Sequence, residues 1–240
     1  MKIEGKNPVR ELLKTDETIE KIMIANGTTD PEIRMFQNIA RERNIKVEFV
    51  DKKVLDKTSE TGHHQGVIAV YTDFKYSDLD ETIYEARSLG KELLFVILDE
   101  VLDPHNLGSV IRVAECAGAT GVIIPNRRSA SVNETVVRTS AGATAYVPVI
   151  KVNNLNQTIE KLKKENVWVF AADMDGEQMC KTNLKGDIAL VVGGEGTGVR
   201  DLTKKLCDGV ISIPMFGKVN SLNASVSAGI VLYEAVRQRN

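Results

Sequence analysis

Runs of apolar residues alternate with helical patterns along the second half of the chain. Residues 92–98 carry a continuous apolar run, as expected of a strand buried on both faces. Further runs of strand length lie at 121–125, 145–150, 167–172, 188–192 and 210–213. Because helical patterns separate these runs, the sequence predicts an α/β fold with a mostly parallel sheet and helices on both faces.

The helices between the strands are predicted from apolar residues at helical spacing. After a break at Asp103, Asn106 stands where a helix N-cap would stand, and an apolar stripe follows it. Further helices are predicted over 131–142, 155–164 and, at the end of the chain, from 221 to about 238.

The first 72 residues predict a separate, smaller α/β unit. Strand patterns alternate with helical patterns, and the strands are predicted at 19–25, 46–50 and 66–71. Helices are predicted to begin near Asn7, Pro31 and Lys53, the second of them capped by Asp30. This alternation is typical of helices packed on a sheet.

A polar segment, residues 73–90, separates the two halves and is typical of a connector. It contains a helical pattern over 80–88, for which Ser77 is the predicted cap. We therefore expect a first domain over 1–72, a linker over 73–90 and a second domain over 91–240.

The predicted last helix begins with unusual chemistry. Its first turns contain Ser221, Asn223 and Ser225, although short hydroxyls and amides favour caps over helix interiors. Ser221 alone is explained as an N-cap, whereas the others require close backbone packing or a polar ligand. The free N–H groups of a helix start would suit a carboxylate or a phosphate.

The turn after the 188–192 strand reads G-G-E-G-T-G over residues 193–198. A dinucleotide-binding fold is one interpretation, but the glycines do not fit G-x-G-x-x-G. No acidic residue follows about 20 positions on at a second strand end, as that fold needs. A tight strand-to-helix turn is the structural alternative.

Composition and charge narrow the classes of function. The chain has 240 residues, 42% hydrophobic and 27% charged, which is ordinary for a globular protein of one large or two small domains. Its net charge is −2 and its pI about 6.0. Proteins that bind nucleic acid over a broad surface are usually basic, so RNA recognition here would use a local basic patch.

The start of the chain has no apolar signal core, and no apolar run is long enough to cross a bilayer. Cys116, Cys180 and Cys207 show no spacing typical of metal ligands or redox pairs. We therefore expect a cytoplasmic protein with buried free thiols, without a metal site and without a membrane partner.

Three stretches together resemble the signatures of a known family. They read D-P-H-N-L-G-S-V-I-R at 103–112, L-V-V-G-G-E-G-T-G at 190–198 and I-P-M-F-G-K-V-N-S-L-N-A-S at 213–225. In this order they resemble the three signatures of the SpoU-type RNA ribose 2′-O-methyltransferases of the SPOUT superfamily. The resemblance implies a C-terminal trefoil knot, an exception to ordinary chain connectivity.

The first unit resembles the L30e-like RNA-binding domain that precedes the catalytic domain in RlmB-type members of this family. The sequence His-His-Gln-Gly at 63–66, just before its last strand, carries part of that resemblance. A polar loop with a glycine required by backbone geometry is the structural alternative. The resemblance favours contact with RNA by His64 and Gln65.

The resemblance also implies S-adenosylmethionine as the cofactor, bound without a metal. The glycine-rich turn would let the backbone approach the cofactor, and apolar residues of the third motif would complete the pocket. The expected cofactor-binding residues are Gly193, Gly194, Gly196, Ile213, Met215 and Leu222.

The expected catalytic residues, again by resemblance, are Asn106, Arg112, Glu195, Ser221, Asn223 and Ser225. On spacing alone, Arg112 is better explained as an arginine reaching out from a helix edge. The match to the first motif favours a clamp on the RNA phosphate beside the target ribose, because a guanidinium has a fixed charge and a fork suited to phosphate. A general-base role is the alternative, but arginine stays protonated in proteins.

By resemblance, the protein transfers a methyl group to a ribose 2′-hydroxyl of RNA, most closely as RlmB-type enzymes do at a guanosine of 23S rRNA. A tRNA guanosine methyltransferase of the same family is one alternative. A non-catalytic RNA-binding factor for ribosome assembly is another, which the full set of motif residues argues against.

A homodimer is predicted from the last helix. Its apolar residues lie on more than one face, and they are Val226, Ile230, Val231, Leu232, Tyr233 and Val236. A helix that is apolar this far round is buried on more than one side. One side would cover its own sheet and the other would meet a second subunit, as the resemblance to dimeric SPOUT enzymes implies.

Overall fold

The computed structural model describes residues 1–15, 17–72, 74–194, 196, 198–218 and 221–240. Within these residues the chain divides into two compact units, Met1–Lys75 and Tyr76–Asn240, each with its own sheet.

The first unit contains a four-stranded mixed sheet. Its strands are β1 (Lys2–Glu4), β2 (Thr18–Ala25), β3 (Lys46–Val50) and β4 (Val67–Thr72). The order in the sheet is β1-β4-β2-β3, with β4 antiparallel to both of its neighbours and β2 parallel to β3.

Three helices cover both faces of this sheet: α1 (Lys6–Leu12), α2 (Pro31–Glu42) and α3 (Lys52–Thr58). Val9 of α1 and Phe36 of α2 are buried in one core with β2 and β4, whereas Leu55 of α3 packs in a second, smaller core. The side chain of Asp30 caps α2 by accepting from the Glu32 amide at 2.9 Å, as predicted. The predicted sandwich of helices on a sheet is confirmed.

The second unit is built on a six-stranded sheet. Its strands are β5 (Leu94–Asp99), β6 (Gly121–Pro125), β7 (Val149–Val152), β8 (Trp168–Gln178), β9 (Ile188–Gly193) and β10 (Gly209–Ser212). The order is β10-β8-β9-β5-β6-β7, and every neighbouring pair is parallel. The predicted parallel sheet is confirmed, and its carboxyl ends all meet along one edge, where α/β proteins bind ligands.

Among the described residues of this unit, six α-helices accompany the sheet: α4 (Leu79–Ser88), α5 (Pro104–Cys116), α6 (Glu134–Thr139), α7 (Leu155–Lys164), α8 (Asp201–Leu206) and α9 (Ala224–Arg239). α4 and α7 share one apolar core with the sheet, which includes Ile83, Ile159 and Phe95. On the opposite face α5 packs against α6 and α9, with α5 contacting β6 and α9 contacting β9. Helices therefore lie on both faces, as the sequence predicted.

The predicted linker belongs to the second unit. Leu79, Ile83 and Ala86 of α4 are buried in the core of that unit, so its fold begins at Tyr76 rather than at residue 91. The helix is capped by Asp78 instead of the predicted Ser77, because Oδ1 of Asp78 accepts from the backbone amides of Asp80 and Glu81.

Two further helix starts differ from the prediction. α5 begins at Pro104 because Asp103 Oδ1 accepts from the His105 amide at 3.0 Å, so Asn106 lies inside the first turn and is not the N-cap. α9 begins at Ala224 because Asn223, and not Ser221, accepts from the free amides.

The observed boundaries of α6 and β7 also differ from the predicted ones. The helix predicted over 131–142 is shortened to Glu134–Thr139, and a 3₁₀ turn, Ala143–Ala145, follows and ends at the first residue of the strand predicted over 145–150. Ala141, just after the C-cap Ser140, has φ +51°, the left-handed conformation common at helix ends, and Gly142 follows it with φ +84°. β7 therefore starts at Val149.

The thiols differ from the prediction as well. Cys116 and Cys180 are exposed and only Cys207 is partly buried, so the expectation of buried thiols was wrong for the first two. Burial raises the pKa of the Cys207 thiol to about 12. Among the described helices, none combines the length and the hydropathy needed to cross a bilayer.

Candidate active site

A cavity of about 780 Å³ opens at the carboxyl edge of the second sheet. Its walls come from the middle of β8, from the end of β9 and the turn after it, from the segment after β10 and from the start of α9. Small-molecule sites commonly have volumes of about 300–1,000 Å³ and lie at such strand ends. The cavity is therefore the candidate site for a small ligand.

All six residues predicted to bind the cofactor line this cavity: Gly193, Gly194, Gly196, Ile213, Met215 and Leu222. Ser221 and Asn223 of the predicted catalytic set line it as well. Met215 and Leu222 are 39% and 38% exposed, so the apolar wall is open enough to receive a ligand surface. The second and third motifs thus meet in one place.

Asn223 organises the start of α9. Its Oδ1 accepts from the backbone amides of Ser225 at 2.9 Å and Val226 at 3.3 Å, and from the Ser225 hydroxyl at 2.6 Å. These two amides are therefore not free, contrary to the expectation that the helix start would offer them to a carboxylate or phosphate. Ser225 supports Asn223 and does not line the cavity.

Asn106 connects the first motif to the third. Its side chain is only 6% exposed, and its Oδ1 accepts from Nδ2 of Asn223 at 2.9 Å. The bond joins α5 to the first residue before α9. Asn106 therefore positions a residue of the cavity wall, although it lies outside the wall itself.

Arg112 lies on α5 six positions after Asn106. In an α-helix this separation is about 9 Å of rise and about 240° of rotation, so the two side chains point in different directions. Arg112 is exposed, and its side chain makes no hydrogen bond or ion pair with the part of the chain that the structure describes. The structure does not bring it to the cavity of its own chain.

Glu195 lies outside the described residues, so its predicted catalytic role stays a prediction.

The glycine-rich turn is shaped by contacts between backbone segments. A Cβ atom on Gly193 would overlap the backbone of Gly198, and one on Gly194 would overlap the carbonyl oxygen of Glu100. Gly196 has φ +90° and no atom within 4 Å of a Cβ position, so it requires glycine for its conformation alone. The close approach of backbone segments therefore explains Gly193 and Gly194. Both were also predicted to contact the cofactor, and both line the cavity.

Sequence reasoning missed a charged pair in the cavity wall, Asp173 with Lys204. Lys204 Nζ lies 3.1 Å from Asp173 Oδ2, and this hydrogen bond raises the pKa of the lysine. Asp175 also lines the cavity. The signal was available, since the sequence D-M-D at 173–175 directly follows the apolar run of β8, at the edge where parallel strands place ligand-binding groups.

His64 and Gln65, predicted to contact RNA, have different surroundings in the first unit. His64 is 4% exposed; its Nε2 lies 2.8 Å from Asp56 Oδ1, and its Nδ1 accepts from the Gly66 amide at 3.0 Å. Both ring nitrogens are engaged, which favours a structural role in the loop over direct RNA contact. Gln65 is exposed with φ +49°, and its Oε1 accepts from the Lys6 amide at 3.0 Å.

The residues of the cavity fit S-adenosylmethionine by their chemistry. Ile213 and Leu222 offer apolar surface to an adenine ring, and Asp173 and Asp175 offer carboxylates to hydroxyl or ammonium groups. The open space around Gly196 leaves room for a ligand against the backbone. Within the described residues, no group of three or more potential metal ligands lies together.

Comparison with known proteins identifies the family. A family model described as the SpoU rRNA Methylase family matches residues 93–233, and one described as RNA 2′-O ribose methyltransferase substrate binding matches residues 2–77. The chain belongs to the SpoU family of RNA 2′-O-ribose methyltransferases, as its three motifs predicted.

Relatives match along nearly the whole chain. A TrmH family tRNA/rRNA methyltransferase of Bacillus subtilis (strain 168) is 41% identical, over 98% of this chain and 95% of the relative. The 23S rRNA (guanosine-2′-O-)-methyltransferase RlmB of Xanthomonas campestris pv. campestris is 39% identical over 99% of this chain and 96% of its own.

Solved structures show the same fold. The AdoMet-bound rRNA methyltransferase from Sinorhizobium meliloti is similar with a TM-score of 0.61 and 25% identity, over 98% of this chain and 86% of that one. The SpoU methyltransferase AviRb from Streptomyces viridochromogenes has a TM-score of 0.63 at 24% identity, over 99% and 90% of the two chains, and shares the fold.

Proposed function

We propose that this protein methylates the 2′-hydroxyl of a guanosine ribose in 23S rRNA, with S-adenosylmethionine as methyl donor. The observation that carries the proposal is the cavity in which the second and third family motifs meet, joined to the first motif through Asn106 and Asn223. The RlmB relative, similar along both chains, supports 23S rRNA as the substrate. A tRNA guanosine is the second candidate, because the Bacillus relative is described for tRNA and rRNA alike.

The cofactor, when bound, supplies the methyl group; the residues of the chain supply orientation. Ile213 and Leu222 hold the apolar part of the cofactor, while Asp173 and Asp175 hold its polar groups. Asn223, fixed by Asn106 and by Ser225, orients the reacting ribose at the mouth of the cavity. Positioning of this kind accounts for a large share of the rate in such transfers.

Purified protein with 23S rRNA and labelled S-adenosylmethionine tests the substrate directly. We expect label at one guanosine 2′-oxygen of 23S rRNA that is unmodified in RNA from cells lacking the gene. Label in tRNA instead of rRNA would move the assignment to the second candidate. Binding of S-adenosylhomocysteine without transfer to any RNA would favour the non-catalytic alternative.

The role of Arg112 is the phosphate clamp predicted from the first motif. We expect Arg112→Ala to lower turnover far more than affinity for S-adenosylhomocysteine, because its partner is the RNA and not the cofactor. Arg112→Lys, which keeps the charge and loses the planar fork, serves as the conservative comparison. Full single-turnover rates in Arg112→Ala would remove the assignment.

We also propose that the working form is a homodimer. Val226, Ile230 and Tyr233 follow one another at helical spacing on α9, and Val226 and Tyr233 are 48% and 50% exposed. This apolar stripe and the neighbouring α5 form a surface that a second copy would cover. Such a pair would use the same patch on both chains.

In such a dimer the exposed Arg112, which lies on α5, would reach the cavity of the partner subunit. Light scattering should give twice the 26.4 kDa of one chain, and Tyr233→Glu should shift it towards monomer with a parallel loss of activity. A monomer with full activity would contradict the proposal.

The C-terminal trefoil knot and the cytoplasmic location belong to the same proposal. The match of residues 93–233 to the SpoU family model supports the knot. Assignment of the first unit to RNA capture rests on its match to the substrate-binding model. Residues 76–240 alone should bind S-adenosylhomocysteine and methylate RNA poorly; an unchanged kcat/KM would remove the assignment.

A further inference from the structure

A second, smaller cavity of about 200 Å³ lies at the same carboxyl edge of the sheet, where β6 and β7 end. Its walls are the segments after these strands, the start of α7 and Arg200, which precedes α8. None of the residues predicted for catalysis, cofactor or RNA lines it.

The walls are basic in a chain whose net charge is −2. Three guanidinium groups line the cavity, those of Arg127, Arg128 and Arg200. Two carboxylates are paired with them: Asp99 with Arg200, and Glu100 with Arg128 at 3.2 Å and with Arg200 at 3.8 Å. Three positive and two negative groups leave an excess of one positive charge.

Arg200 is held in a fixed orientation. Asp99, which is fully buried at the end of β5, accepts through Oδ1 from Arg200 Nε at 2.8 Å and lies 2.7 Å from Nη2. Its Oδ2 accepts from the Arg200 backbone amide at 3.1 Å. A buried carboxylate that uses both oxygens on one arginine fixes the guanidinium at the cavity wall, with Nη1 on the side of Glu100.

The pair Glu100–Arg128 sits on unusual backbone. Glu100 has φ +62° and Arg128 has φ +56°, a left-handed conformation that non-glycine residues adopt infrequently. Backbone of this kind clusters at functional sites, where the surrounding structure maintains it. The Glu100 and Arg128 side chains pair beside the cavity, which Arg128 lines, and the side chain of Arg128 remains 74% exposed.

Arg127 provides the excess charge. It is exposed, and it makes no hydrogen bond or ion pair with the residues that the structure describes. Asparagine amides complete the wall, from Asn153, Asn154 and Asn156. Arginine forks together with side-chain amides are the groups that contact nucleic-acid phosphates.

We propose that this cavity binds a backbone phosphate of the RNA substrate, at a nucleotide that flanks the methylated ribose. The two cavities are neighbours. Gly194 of the larger one packs against the carbonyl oxygen of Glu100, and the Glu100 side chain pairs with Arg128 and Arg200 of the smaller one. A strand of RNA with its reacting ribose at the larger cavity would pass the three arginines. The inference rests on the proposed function. It adds a second contact between the protein and the RNA, which fixes which nucleotide reaches the larger cavity.

The test compares Arg127→Ala with Lys185→Ala. Both remove one exposed positive charge from the second unit, but Lys185 precedes β9 and lies at the opposite, amino edge of the sheet. In methyl transfer to a 23S rRNA fragment, Arg127→Ala should raise KM roughly tenfold, as expected for one charged hydrogen bond. Lys185→Ala should match the wild type.

A salt titration distinguishes phosphate contact from a general structural effect. The slope of log K for RNA binding against log salt should fall by about 1 in Arg127→Ala and should not change in Lys185→Ala. Affinity for S-adenosylhomocysteine should be unchanged in both variants. Arg127→Lys should recover part of the affinity and all of the slope, since it restores the charge without the fork.

Wild-type methylation together with an unchanged KM and salt slope in Arg127→Ala would overturn the inference and leave the proposed function intact. Failure of the wild type to methylate any RNA would overturn the proposed function, and RNA binding by wild type and variant would still test the phosphate contact. Competition by inorganic phosphate at the concentration of the RNA would show a free-anion site instead of an RNA site.

Discussion

Replacing Asn223 by alanine and by serine separates the two tasks that this residue performs. Its Oδ1 caps α9 by accepting from the amides of Ser225 and Val226, and its Nδ2 donates to Asn106 at 2.9 Å. Alanine removes both functions. Serine is as good a cap as asparagine, but it is too short to reach Asn106.

The expected magnitudes follow from these contacts. Loss of an N-cap costs about 1 kcal/mol, with a range of roughly 0.5–2. Loss of the bond to the buried Asn106 costs about 1 kcal/mol more. Asn223→Ala should therefore lower the free energy of unfolding by about 2 kcal/mol, and Asn223→Ser by about 1. For a chain of this size, each kcal/mol lowers Tm by about 2–4 °C.

Urea unfolding gives the stabilities, and methyl transfer well below Tm gives the activities. If the amide of Asn223 orients the ribose, both variants should lose activity to a similar extent, although serine keeps the cap. Equal destabilisation by serine and alanine would refute the division into cap and bridge. Recovery of activity with stability in the serine variant would refute the positioning role.

Two further predictions concern the helices around the site. A Cβ atom on Gly108 would overlap Thr139 and lie 2.9 Å from the Val136 carbonyl oxygen, so Gly108→Ala should destabilise by roughly 1 kcal/mol after the gain in helix propensity. Gly229→Ala is the matched control: its Cβ meets only ordinary contacts, and it should stabilise by up to about 1 kcal/mol in urea unfolding. The hydrogen bond from Arg237 lowers the pKa of Glu234 from 4.5 to about 2, so this carboxylate stabilises the fold above pH 4.5 and loses that contribution as the pH falls towards 2. Glu234→Gln should flatten stability over this pH window, and an unchanged pH profile would contradict the assignment.

The parallel sheet was predictable because its strands are buried on both faces. β5 has no exposed position, and its residues Leu94–Leu98 form the continuous apolar run typical of such a strand, which ends in the buried and paired Asp99. The three motifs likewise pointed to residues that meet in space, since the glycine-rich turn and the segment after β10 line one cavity. Parallel strands bring distant segments to the same edge, which is why local motifs predicted a common site.

The helix starts were harder to predict because several residues nearby can cap. Asp103 and Asn106 are both good caps, and so are Ser221 and Asn223. Sequence spacing does not say which one has extended backbone and faces the free amides. The choice decides the site, since capping by Asp103 leaves the Asn106 side chain available to Asn223.

The basic cavity had no sequence signal of its own. Arg127 and Arg128 follow β6, but Arg200 joins them only because the chain returns beside β5 and is fixed there by Asp99. The left-handed backbone at Glu100 and Arg128 cannot be inferred from residue type, because glutamate and arginine avoid it in most contexts. Long-range pairing, not local pattern, builds this part of the site.

The glycine-rich turn shows how a ligand signature and a folding requirement coincide. Gly193 and Gly194 lie so close to the backbone of Gly198 and Glu100 that a side chain would not fit, so glycine is required here even without a ligand. Gly193 is paired with Asp99 at the end of β5, and Gly194 lies against the Glu100 carbonyl oxygen. The two glycines line the large cavity, whereas the side chains of Asp99 and Glu100 pair with Arg200 of the basic one. The proposed cofactor pocket and the proposed phosphate site therefore lie on two sides of one close approach of backbone to backbone.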